Sequence, residues 1–402
     1  MPNYKMTRQL TIFLFILLCA CGQRNNSVSD SSKVDTIQSF INFDNNIVGH
    51  IEATAEFDGK LFFAGKFVDN KGIKSTNIIA WNGKGWESVG DGINGKVMTL
   101  AVYNNELYAG GTFDKAGEIN VQNIAKWDGK KWTDVSGGTK GFFVTQASTT
   151  WINCKETKTQ SSINGYVNLL TVINNELYMS GRFDTVGKTP AHNFAKWNGK
   201  NWSAMGRGIN DNILAMQLYK GELYVAGEFD TVDNKPFNYI AKWNGKEWQS
   251  VGQGTDRTIY SLQVFNDELY AGGCFTTADN TNALGIAKWN GNKWTSVDKG
   301  MNVAEMGSVG HLTTYSHELY AGGLFDSVAN IQANGIAKWN GKYWQPLDKG
   351  LDNFIDSLPV FSSVDALSVF GNDLFIAGDF LDTVNNKSTN KIVRWTTTLK
   401  QK

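Results

Sequence analysis

The fold of this chain is decided by residues 95–138, whose sequence is GKVMTLAVYNNELYAGGTFDKAGEINVQNIAKWDGKKWTDVSGG. The pattern recurs along the chain, and internal repetition has to be recognised before any other feature is interpreted. A Leu followed by an aromatic residue marks each copy. Counted in this register the chain has seven copies, whose marker residues are Leu61, Leu107, Leu177, Leu223, Leu269, Leu319 and Leu374.

Spacing within the copies is nearly constant. Every copy has a β-branched residue ten positions before the marker Leu, a Gly four positions after it and a Phe six positions after it. A Trp follows twenty positions after the marker in six copies and twenty-one positions after it in the last copy, at Trp395. Such fixed intervals predict strands and turns of fixed length.

Each copy predicts four short strands, which in the quoted copy are residues 97–103, 106–113, 123–127 and 131–135. The first turn is the polar pair Asn104-Asn105. The third and fourth strands are joined by Asp128-Gly129, and the other complete copies have Asn-Gly there, a strong signal for a type I′ hairpin turn. With a two-residue turn, Trp127 would pair with Lys130, and the indoles of Trp127 and Trp132 would lie diagonally on one face.

A unit of about 46 residues with four antiparallel strands is typical of a propeller blade. The run Leu107-Tyr108-Ala109-Gly110-Gly111, followed by Trp127 and Trp132, resembles the kelch-type β-propeller repeat. The resemblance covers roughly residues 37–395. The double Gly is complete in copies 2, 5 and 6, and Ala or Ser replaces the first Gly elsewhere. The resemblance implies a fold and no particular partner or activity, because kelch propellers have unrelated functions.

We therefore predict an all-β protein in which residues 37–402 form a seven-bladed β-propeller of four-stranded antiparallel blades. Copy 7 stops at Trp395 without the Asn-Gly turn or the second Trp, so its fourth strand is missing. Residues 39–43, SFINF, place Phe40 at the position of that second Trp. We expect this N-terminal segment to complete blade 7 and close the ring, which would remove an open sheet edge.

Residues 1–20 are predicted to be a lipoprotein signal peptide. Lys5 and Arg8 precede an apolar run at residues 11–18, which is too short to span a membrane. The segment LCACG, residues 18–22, resembles the bacterial lipobox, which implies lipidation of Cys21. Residues 21–36 are polar and predict a tether. We expect an exported protein, anchored by lipid at the cell envelope, and Gly22 favours the outer membrane.

Composition argues against several classes of ligand. The chain has 38 basic and 38 acidic residues, so its net charge gives no reason to expect a nucleic-acid partner. The four His residues lie apart, without a second His or Cys at metal-ligand spacing. We predict no metal and no cofactor.

The Asp residues that recur after the second strand, such as Asp114, are expected to cap turns.

The connections between copies vary in length, and we expect them to carry the binding function. Eleven residues separate the second Trp from the next first strand after copies 1, 3 and 4, but thirty-five separate them after copy 2. Variable loops on a rigid scaffold are where binding usually occurs. The insertion at residues 139–163 contains Phe142, Phe143 and Trp151. These aromatic residues are candidates for binding a ligand, or alternatively they cover their own blade.

His311, on a first strand, is a further candidate ligand-binding residue. It either faces the channel or packs internally.

Two functional hypotheses follow. The first is a binding or scaffolding module for a glycan, a peptide or a protein, anchored to a membrane through its N-terminal lipid. The second is a carbohydrate-active hydrolase or lyase with His311, Glu52 and Asp365 at the channel mouth. The first is preferred, because no recurring pair of acids with a clear geometry is evident. A disulfide between Cys154 and Cys274 is left open.

Overall fold

Antiparallel strands account for most of the described chain. The computed structural model describes residues 36–42, 47–69, 73–141, 144–152, 155–163, 165–302, 307–348, 350–351, 354–355, 358–359, 363–379 and 392–399. Within these residues there is no α-helix, and no helical segment suited to crossing a membrane. Residues Gln38–Thr398 form one compact unit.

The first half of the chain forms sheets 1, 2 and 3. The strand before them is β1 (Thr36–Asn42), and sheet 1 contains β2 (Ile47–Phe57), β3 (Lys60–Asp69), β4 (Ile78–Trp81) and β5 (Trp86–Ser88). Sheet 2 contains β6 (Lys96–Tyr103), β7 (Glu106–Thr112), β10 (Ile124–Trp127) and β11 (Trp132–Asp134), with the short strands β8 (Lys115–Ala116) and β9 (Ile119–Asn120) between β7 and β10. The insertion contains β12 (Thr139–Lys140), β13 (Val144–Ile152) and β14 (Lys155–Ile163). Sheet 3 contains β15 (Tyr166–Ile173), β16 (Glu176–Arg182), β19 (Phe194–Trp197) and β20 (Trp202–Ala204), with β17 (Thr185–Val186) and β18 (Thr189–Pro190) between β16 and β19.

The second half forms sheets 4 to 7 in the same way. Sheet 4 contains β21 (Ile213–Tyr219), β22 (Glu222–Gly227), β25 (Ile240–Trp243) and β26 (Trp248–Ser250), with the short strands β23 (Thr231–Val232) and β24 (Lys235–Pro236). Sheet 5 contains β27 (Ile259–Phe265), β28 (Glu268–Gly273), β31 (Ile286–Trp289) and β32 (Trp294–Ser296), with β29 (Thr277–Ala278) and β30 (Thr281–Asn282). Sheet 6 contains β33 (Ser308–Tyr315), β34 (Glu318–Leu324), β37 (Ile336–Trp339) and β38 (Trp344–Pro346), with β35 (Ser327–Val328) and β36 (Ile331–Gln332). The last strands are β39 (Phe354–Ile355), β40 (Leu358–Pro359), β41 (Ser363–Phe370), β42 (Asp373–Asp379) and β43 (Ile392–Leu399).

Sheet 7 differs from the others because it combines strands from both parts of the chain. Its strand order is β1-β43-β42-β41, so the N-terminal strand lies at the edge beside the last strand. The rings of Phe40 and Trp395 are 4.7 Å apart. In sheet 2 the corresponding pair, Trp127 and Trp132, is 5.3 Å apart.

The turn between the third and fourth strands differs from the predicted one. Trp127 pairs directly with Trp132, so the loop has four residues and not two. Asp128 Oδ1 accepts hydrogen bonds from the backbone N–H groups of Lys130 and Lys131, both at 2.8 Å. Of the two residues expected to need positive φ, only Gly129 has it, at 95°. The Asn or Asp is therefore required as an acceptor for two backbone donors.

In sheets 1 to 6 the first turn is the one that adopts the left-handed conformation at both central residues. Asn104 and Asn105 have φ values of 48° and 57°, and Tyr103 pairs with Glu106 across them. Two consecutive positive φ values are the signature of a type I′ turn. The sequence analysis assigned this turn type to the wrong hairpin.

The hydrophobic core lies between neighbouring sheets. The first strand of each sheet packs against the first strand of the next sheet along the chain, and β41 packs against β2. Phe62 and Ile78 of sheet 1, for example, share a cluster with Leu100 and Trp132 of sheet 2. Phe63 of sheet 1 shares another cluster with residues of sheet 7. Each sheet therefore buries both faces against its two neighbours.

Candidate functional site

A bulge interrupts the first strand of every sheet at the same point. In each sheet, the β-branched residue of the first strand and the residue two positions after it pair with adjacent residues of the second strand. The residue between them therefore has no partner in the second strand. A bulge leaves the extra residue unpaired and redirects its side chain. The seven bulged residues, in order from sheet 1 to sheet 7, are Glu52, Met98, Asn168, Leu214, Tyr260, Gly310 and Asp365.

The bulge explains why every copy has Gly four positions after its marker Leu. A Cβ atom on Gly227 would lie 2.1 Å from the carbonyl oxygen of Asn212, two residues before the bulged Leu214. On Gly181 it would lie 1.9 Å from the carbonyl oxygen of Tyr166. The equivalent distances in the other five sheets are 2.0 to 2.3 Å. Only Gly permits this close approach of two backbones.

All seven bulged residues line one central cavity of about 850 Å³. The scaffold position is the same in each sheet, whereas the side chain differs in all seven. Sheets 6, 7 and 1 contribute the acidic and imidazole side chains of the lining, namely His311, Asp365, Glu52 and His50. Sheets 2 and 4 contribute the aliphatic bulged residues Met98 and Leu214. The repeat therefore builds a regular frame around a chemically asymmetric cavity.

The acidic groups of this cavity are held by neighbouring polar groups. Lys96 Nζ lies 2.8 Å from Glu52 Oε1, and both side chains are about one-third exposed. The hydroxyl of Ser363 donates a hydrogen bond to Asp365 Oδ1 at 3.1 Å. Among the described residues that line the cavity, there are two acids and no Lys or Arg.

His311 lies one residue beyond the bulge of sheet 6 and lines the cavity, so of the two sequence alternatives the structure places it at the channel. His311 is half-buried, and the protein packed around it removes much of the water from its ring. This desolvation lowers the pKa of His311 to about 4. The imidazole is therefore neutral at physiological pH and can accept a hydrogen bond at its unprotonated nitrogen.

A polar network links sheets 3 and 4 on the face that carries the insertion. Tyr166 OH donates to Asn212 Oδ1 at 3.0 Å, and Asn212 Nδ2 donates to Glu228 Oε2 at 2.7 Å. Arg182 Nη2 lies 3.1 Å from Asp211 Oδ1. Burial raises the pKa of the Glu228 carboxyl, although the hydrogen bond from Asn212 opposes this. The sequence analysis did not find this network, because its members are far apart in sequence and none belongs to a motif.

The backbone of Tyr239, on the same face, is strained. Its φ is 64°, a value that bulky residues rarely adopt. The equivalent residues of the other sheets, all with positive φ, are Asn77, Asn123, Asn193, Gly285 and Gly335. In sheet 3 the Asn193 side chain connects two loops, since it accepts from the N–H of Phe183 at 3.0 Å and donates to the carbonyl of Ile209 at 2.9 Å. Tyr239 cannot make this pair of bonds, so strain at this position marks a candidate contact residue.

The recurring Asp and Asn residues belong to the scaffold. Asn94, between sheets 1 and 2, donates to Asp114 Oδ1 at 2.6 Å and accepts from the N–H of Lys115 at 3.0 Å. In sheet 5 both positions differ, with Asp256 in place of the Asn and Thr276 in place of the Asp. The contact is kept, since Asp256 accepts hydrogen bonds from the N–H and the hydroxyl of Thr276. The prediction that Asp114 caps a turn needs correction: the connecting loop supplies the cap, and Asp114 is its partner.

The insertion contains a β-hairpin. β13 pairs with β14 over nine residues, with Trp151 opposite Glu156 close to its end. β12 pairs with β17 of sheet 3. The side chain of Trp151, and the whole of Phe142, Phe143 and Cys154, lie outside the described residues. The predicted contacts of these aromatic residues with a ligand stay predictions, as does the disulfide, for which the structure gives only that Cys274 is buried.

Residues 1–35, including Cys21, also lie outside the described part of the chain. Within that part, no three His, Cys, Asp or Glu side chains are grouped so that they could hold a metal ion. The bulged residues were not recognised as a set from the sequence. An invariant Gly inside a strand was the available signal, since it often marks a bulge.

Comparison with known proteins supports the fold. A family model described as the Rax2 C-terminal beta propeller domain matches residues 212–383, which is less than half of the chain. Together with the seven sheets that pack side by side around a central cavity, this match identifies the protein as a β-propeller. No curated protein matches the chain.

Three solved structures are similar at low sequence identity. One is described as YCF48 bound to D1 peptide, with a TM-score of 0.49, 14% identity, and coverage of 91% of this chain and 97% of that chain. A computationally designed protein, Ika8, has a TM-score of 0.47, 13% identity, and coverage of 89% and 99%. PorZ, a surface component of the type-IX secretion system of Porphyromonas gingivalis, has a TM-score of 0.46, 13% identity, and coverage of 85% and 46%. Likenesses of this size do not indicate what the chain binds.

Proposed function

We propose that the protein is a membrane-anchored binding module, a seven-bladed propeller that holds a glycan, a peptide or a protein on its variable-loop face. This is the face formed by the connections between sheets and by the loops between second and third strands. The observation that carries the proposal is the set of seven bulged residues around the central cavity. A frame that repeats seven times presents seven different side chains to one space, as expected of a binding site on a rigid scaffold.

The proposal includes closure of the ring by the N-terminal strand. Its support is the position of β1 at the edge of sheet 7, the contact of Phe40 with Trp395, and the packing of β41 against β2. Phe40→Ala would remove the aromatic ring that lies beside Trp395 in the position of a second Trp. We expect a loss of about 2 to 4 kcal/mol in the free energy of unfolding. An unchanged unfolding midpoint would contradict closure through β1.

The anchoring part of the proposal rests on the sequence alone. The lipobox-like segment implies acyl chains on Cys21, and more than one chain is needed for stable attachment to a membrane. Cys21→Ser should therefore move the protein from the membrane fraction to the soluble fraction. Complete retention in the membrane fraction would show that another feature anchors the chain.

Trp151 tests whether the variable-loop face carries the interaction. Screening the full-length chain against glycan and peptide arrays identifies a ligand, and binding is then compared between the wild type and Trp151→Ala. We expect at least a fivefold loss of affinity with an unchanged melting temperature, because Trp is prominent among residues that dominate binding energy. A loss of stability with intact binding would make Trp151 a packing residue.

The alternative function is hydrolysis or elimination on a carbohydrate. This alternative is retained because His311, Glu52 and Asp365, which belong to three neighbouring sheets, all line one cavity. Cleavage of a polysaccharide by the wild type, lost in Asp365→Asn, would support this function. Binding without cleavage across a polysaccharide panel would support the binding module.

A further inference from the structure

We propose that a second cavity, at the base of the insertion that joins sheets 2 and 3, binds a neutral saccharide through its hydroxyl groups. The inference rests on the proposed function, because it selects the glycan among the ligands named there and places it on the variable-loop face. It is carried by the polar lining of this cavity and by a hydrogen-bond pattern that differs from that of sheets 1 and 3.

The lining of this second cavity is polar. Its volume is about 490 Å³, within the range of about 300 to 1,000 Å³ that is typical of ligand pockets. Its polar side chains include those of Thr112, Asp114, Gln122, Asn123, Thr139 and Lys140. Phe113 is the one apolar residue of the described lining, and it is buried. An apolar ligand would take hydrogen bonds with water away from these groups and replace none of them, which is unfavourable.

Sheets 1 and 3 show how the scaffold normally uses the amide at this place. In sheet 1, Asn77 Oδ1 accepts a hydrogen bond from the N–H of Phe67 at 2.9 Å, and Asn77 Nδ2 donates to the carbonyl oxygen of Ile93 at 2.8 Å. Asn193 makes the equivalent pair of bonds in sheet 3. Both ends of the amide are therefore occupied by the scaffold in these two sheets.

In sheet 2 the equivalent residue, Asn123, has different partners. Its Nδ2 donates to Thr139 Oγ1 at 3.1 Å and to the carbonyl oxygen of Gly165 at 2.8 Å, both at the base of the insertion. The corresponding bond from the N–H of Phe113 to Asn123 Oδ1 is not formed within the described residues. Phe113 and Asn123 both line the cavity. A donor and an acceptor that sheets 1 and 3 pair with each other are thus available to a ligand here.

The charges of the lining balance each other. Asp114 is the one acid and Lys140 the one base among its described residues. A charged ligand would be attracted by one of these groups and repelled by the other, so hydrogen bonding and not charge selects the ligand. Each hydroxyl of a saccharide is both a donor and an acceptor. A neutral saccharide therefore matches a lining of amide, hydroxyl, carboxylate and ammonium groups.

The same lining offers little to the side chains of a peptide. Gly95, Gly141 and Gly165 complete it, and they have no side chain to pack against. A Cβ atom on Gly141 would lie 3.0 Å from Gly165 Cα, so the two ends of the insertion run close together. Peptides and proteins gain most of their affinity from large side chains that fill well-packed pockets. A saccharide needs no such pocket, because its hydroxyl groups can bond to backbone groups as well as to side chains.

Monosaccharides test the inference against other compounds of similar size. The full-length wild-type chain is titrated with D-glucose, D-galactose, D-mannose and N-acetyl-D-glucosamine, and with cyclohexanol and N-acetyl-glycine methylamide for comparison. Binding is measured by ligand-observed NMR. We expect at least one sugar to bind in the millimolar range, at least fivefold more tightly than cyclohexanol and the peptide mimic. No binding of the four sugars, or tighter binding of a comparison compound, would overturn the inference.

Variants locate the bound sugar. Gln122→Met and Lys140→Met keep the length of the side chain and remove its polar end, and both residues are exposed, so the fold should persist. We expect each variant to weaken the binding of the sugar at least threefold, because hydrogen bonds are lost. The matched control is Asn238→Met, at the position of sheet 4 equivalent to Gln122, which should leave binding unchanged. Unchanged binding in both cavity variants, or an equal loss in the control, would contradict the assignment to this cavity.

Failure of the inference is distinguishable from failure of the proposed function. If no monosaccharide binds but a peptide from the array binds in a Trp151-dependent manner, only the inference is wrong. If neither the sugars nor any array ligand binds, the inference and the proposed function are both contradicted.

Discussion

The two faces of the propeller are built from the same strands, yet one is nearly identical in every blade and the other is not. On the turn face, which carries the Asn-Gly and Asp-Gly turns, a Glu at the start of the second strand pairs with a Lys on the third in five blades, at 2.7 to 2.9 Å. Near the variable-loop face, the bulged position of the first strand holds a different residue in each of the seven sheets.

This difference separates scaffold from function within one chain. A side chain that recurs from blade to blade is explained by geometry, such as the Asn or Asp that accepts hydrogen bonds from two backbone N–H groups in the Asn-Gly or Asp-Gly turn of sheets 1 to 6. A position whose backbone recurs but whose side chain changes, such as the bulged residue, is free to serve a ligand. The internal repeats therefore provide the comparison that a set of related sequences would otherwise supply.

The largest effect is expected at the invariant Gly of the second strand. Gly227→Ala places a Cβ atom where the carbonyl oxygen of Asn212 already lies, so the bulge cannot form without a shift of the backbone. We expect a loss of about 3 kcal/mol or more in the free energy of unfolding, measured with denaturant. The control is Ala226→Gly in the same strand, where a loss of about 1 kcal/mol is expected from backbone entropy. Equal losses in both variants would show that the bulge does not require Gly.

A smaller effect is expected from the titration of His311. Its pKa is about 4 in the folded protein and about 6.5 in an unfolded chain, so only the unfolded chain binds this proton between those values. Stability is therefore lost as the pH falls from about 6.5 to about 4, by at most about 3 kcal/mol because the ring retains some access to water. Urea unfolding of the wild type and of His311→Gln across this range isolates the contribution. Parallel pH profiles would contradict the desolvated environment.

Tyr239 should respond in the opposite direction. Tyr239→Asn places at a positive φ the residue that three other blades use there, and it restores the two loop hydrogen bonds seen at Asn193. We expect a gain of about 1 to 2 kcal/mol in the free energy of unfolding. Asn193→Tyr is the reciprocal change and should destabilise by a similar amount. A destabilised Tyr239→Asn would mean that the aromatic side chain contributes more by packing than its backbone strain costs.

The smallest effect is expected on the turn face. Lys242→Met removes the partner of Glu222, which lies 2.8 Å away in a pair that is partly exposed to water. Exposed ion pairs contribute less than about 1 kcal/mol, so the melting temperature should change by only a few degrees. Ligand binding should not change at all. A loss of binding in Lys242→Met would contradict the assignment of function to the other face.

The sequence predicted the antiparallel four-stranded sheets because the repeat fixes the lengths of strands and turns. It did not predict the turn geometry correctly, since Asn-Gly signals both a type I′ turn and a four-residue loop in which Asn accepts two N–H groups. The direct pairing of Trp127 with Trp132 distinguishes the two, and it is a property of the folded hairpin that the sequence does not report. His311 was identified as a candidate, but the bulges that surround it depend on pairing between strands, which no local pattern reports.

The central claim is that the bulged residues face one accessible cavity. Thiol labelling tests it directly in four single variants of the full-length chain, with the labelled sites read separately by peptide mapping. Met98→Cys and Leu214→Cys, at bulged positions, should react with a small maleimide in the native state. Val97→Cys and Ile213→Cys, at neighbouring positions with no exposed surface, should react only after unfolding. Protection at positions 98 and 214, or equal reactivity at all four, would contradict the account.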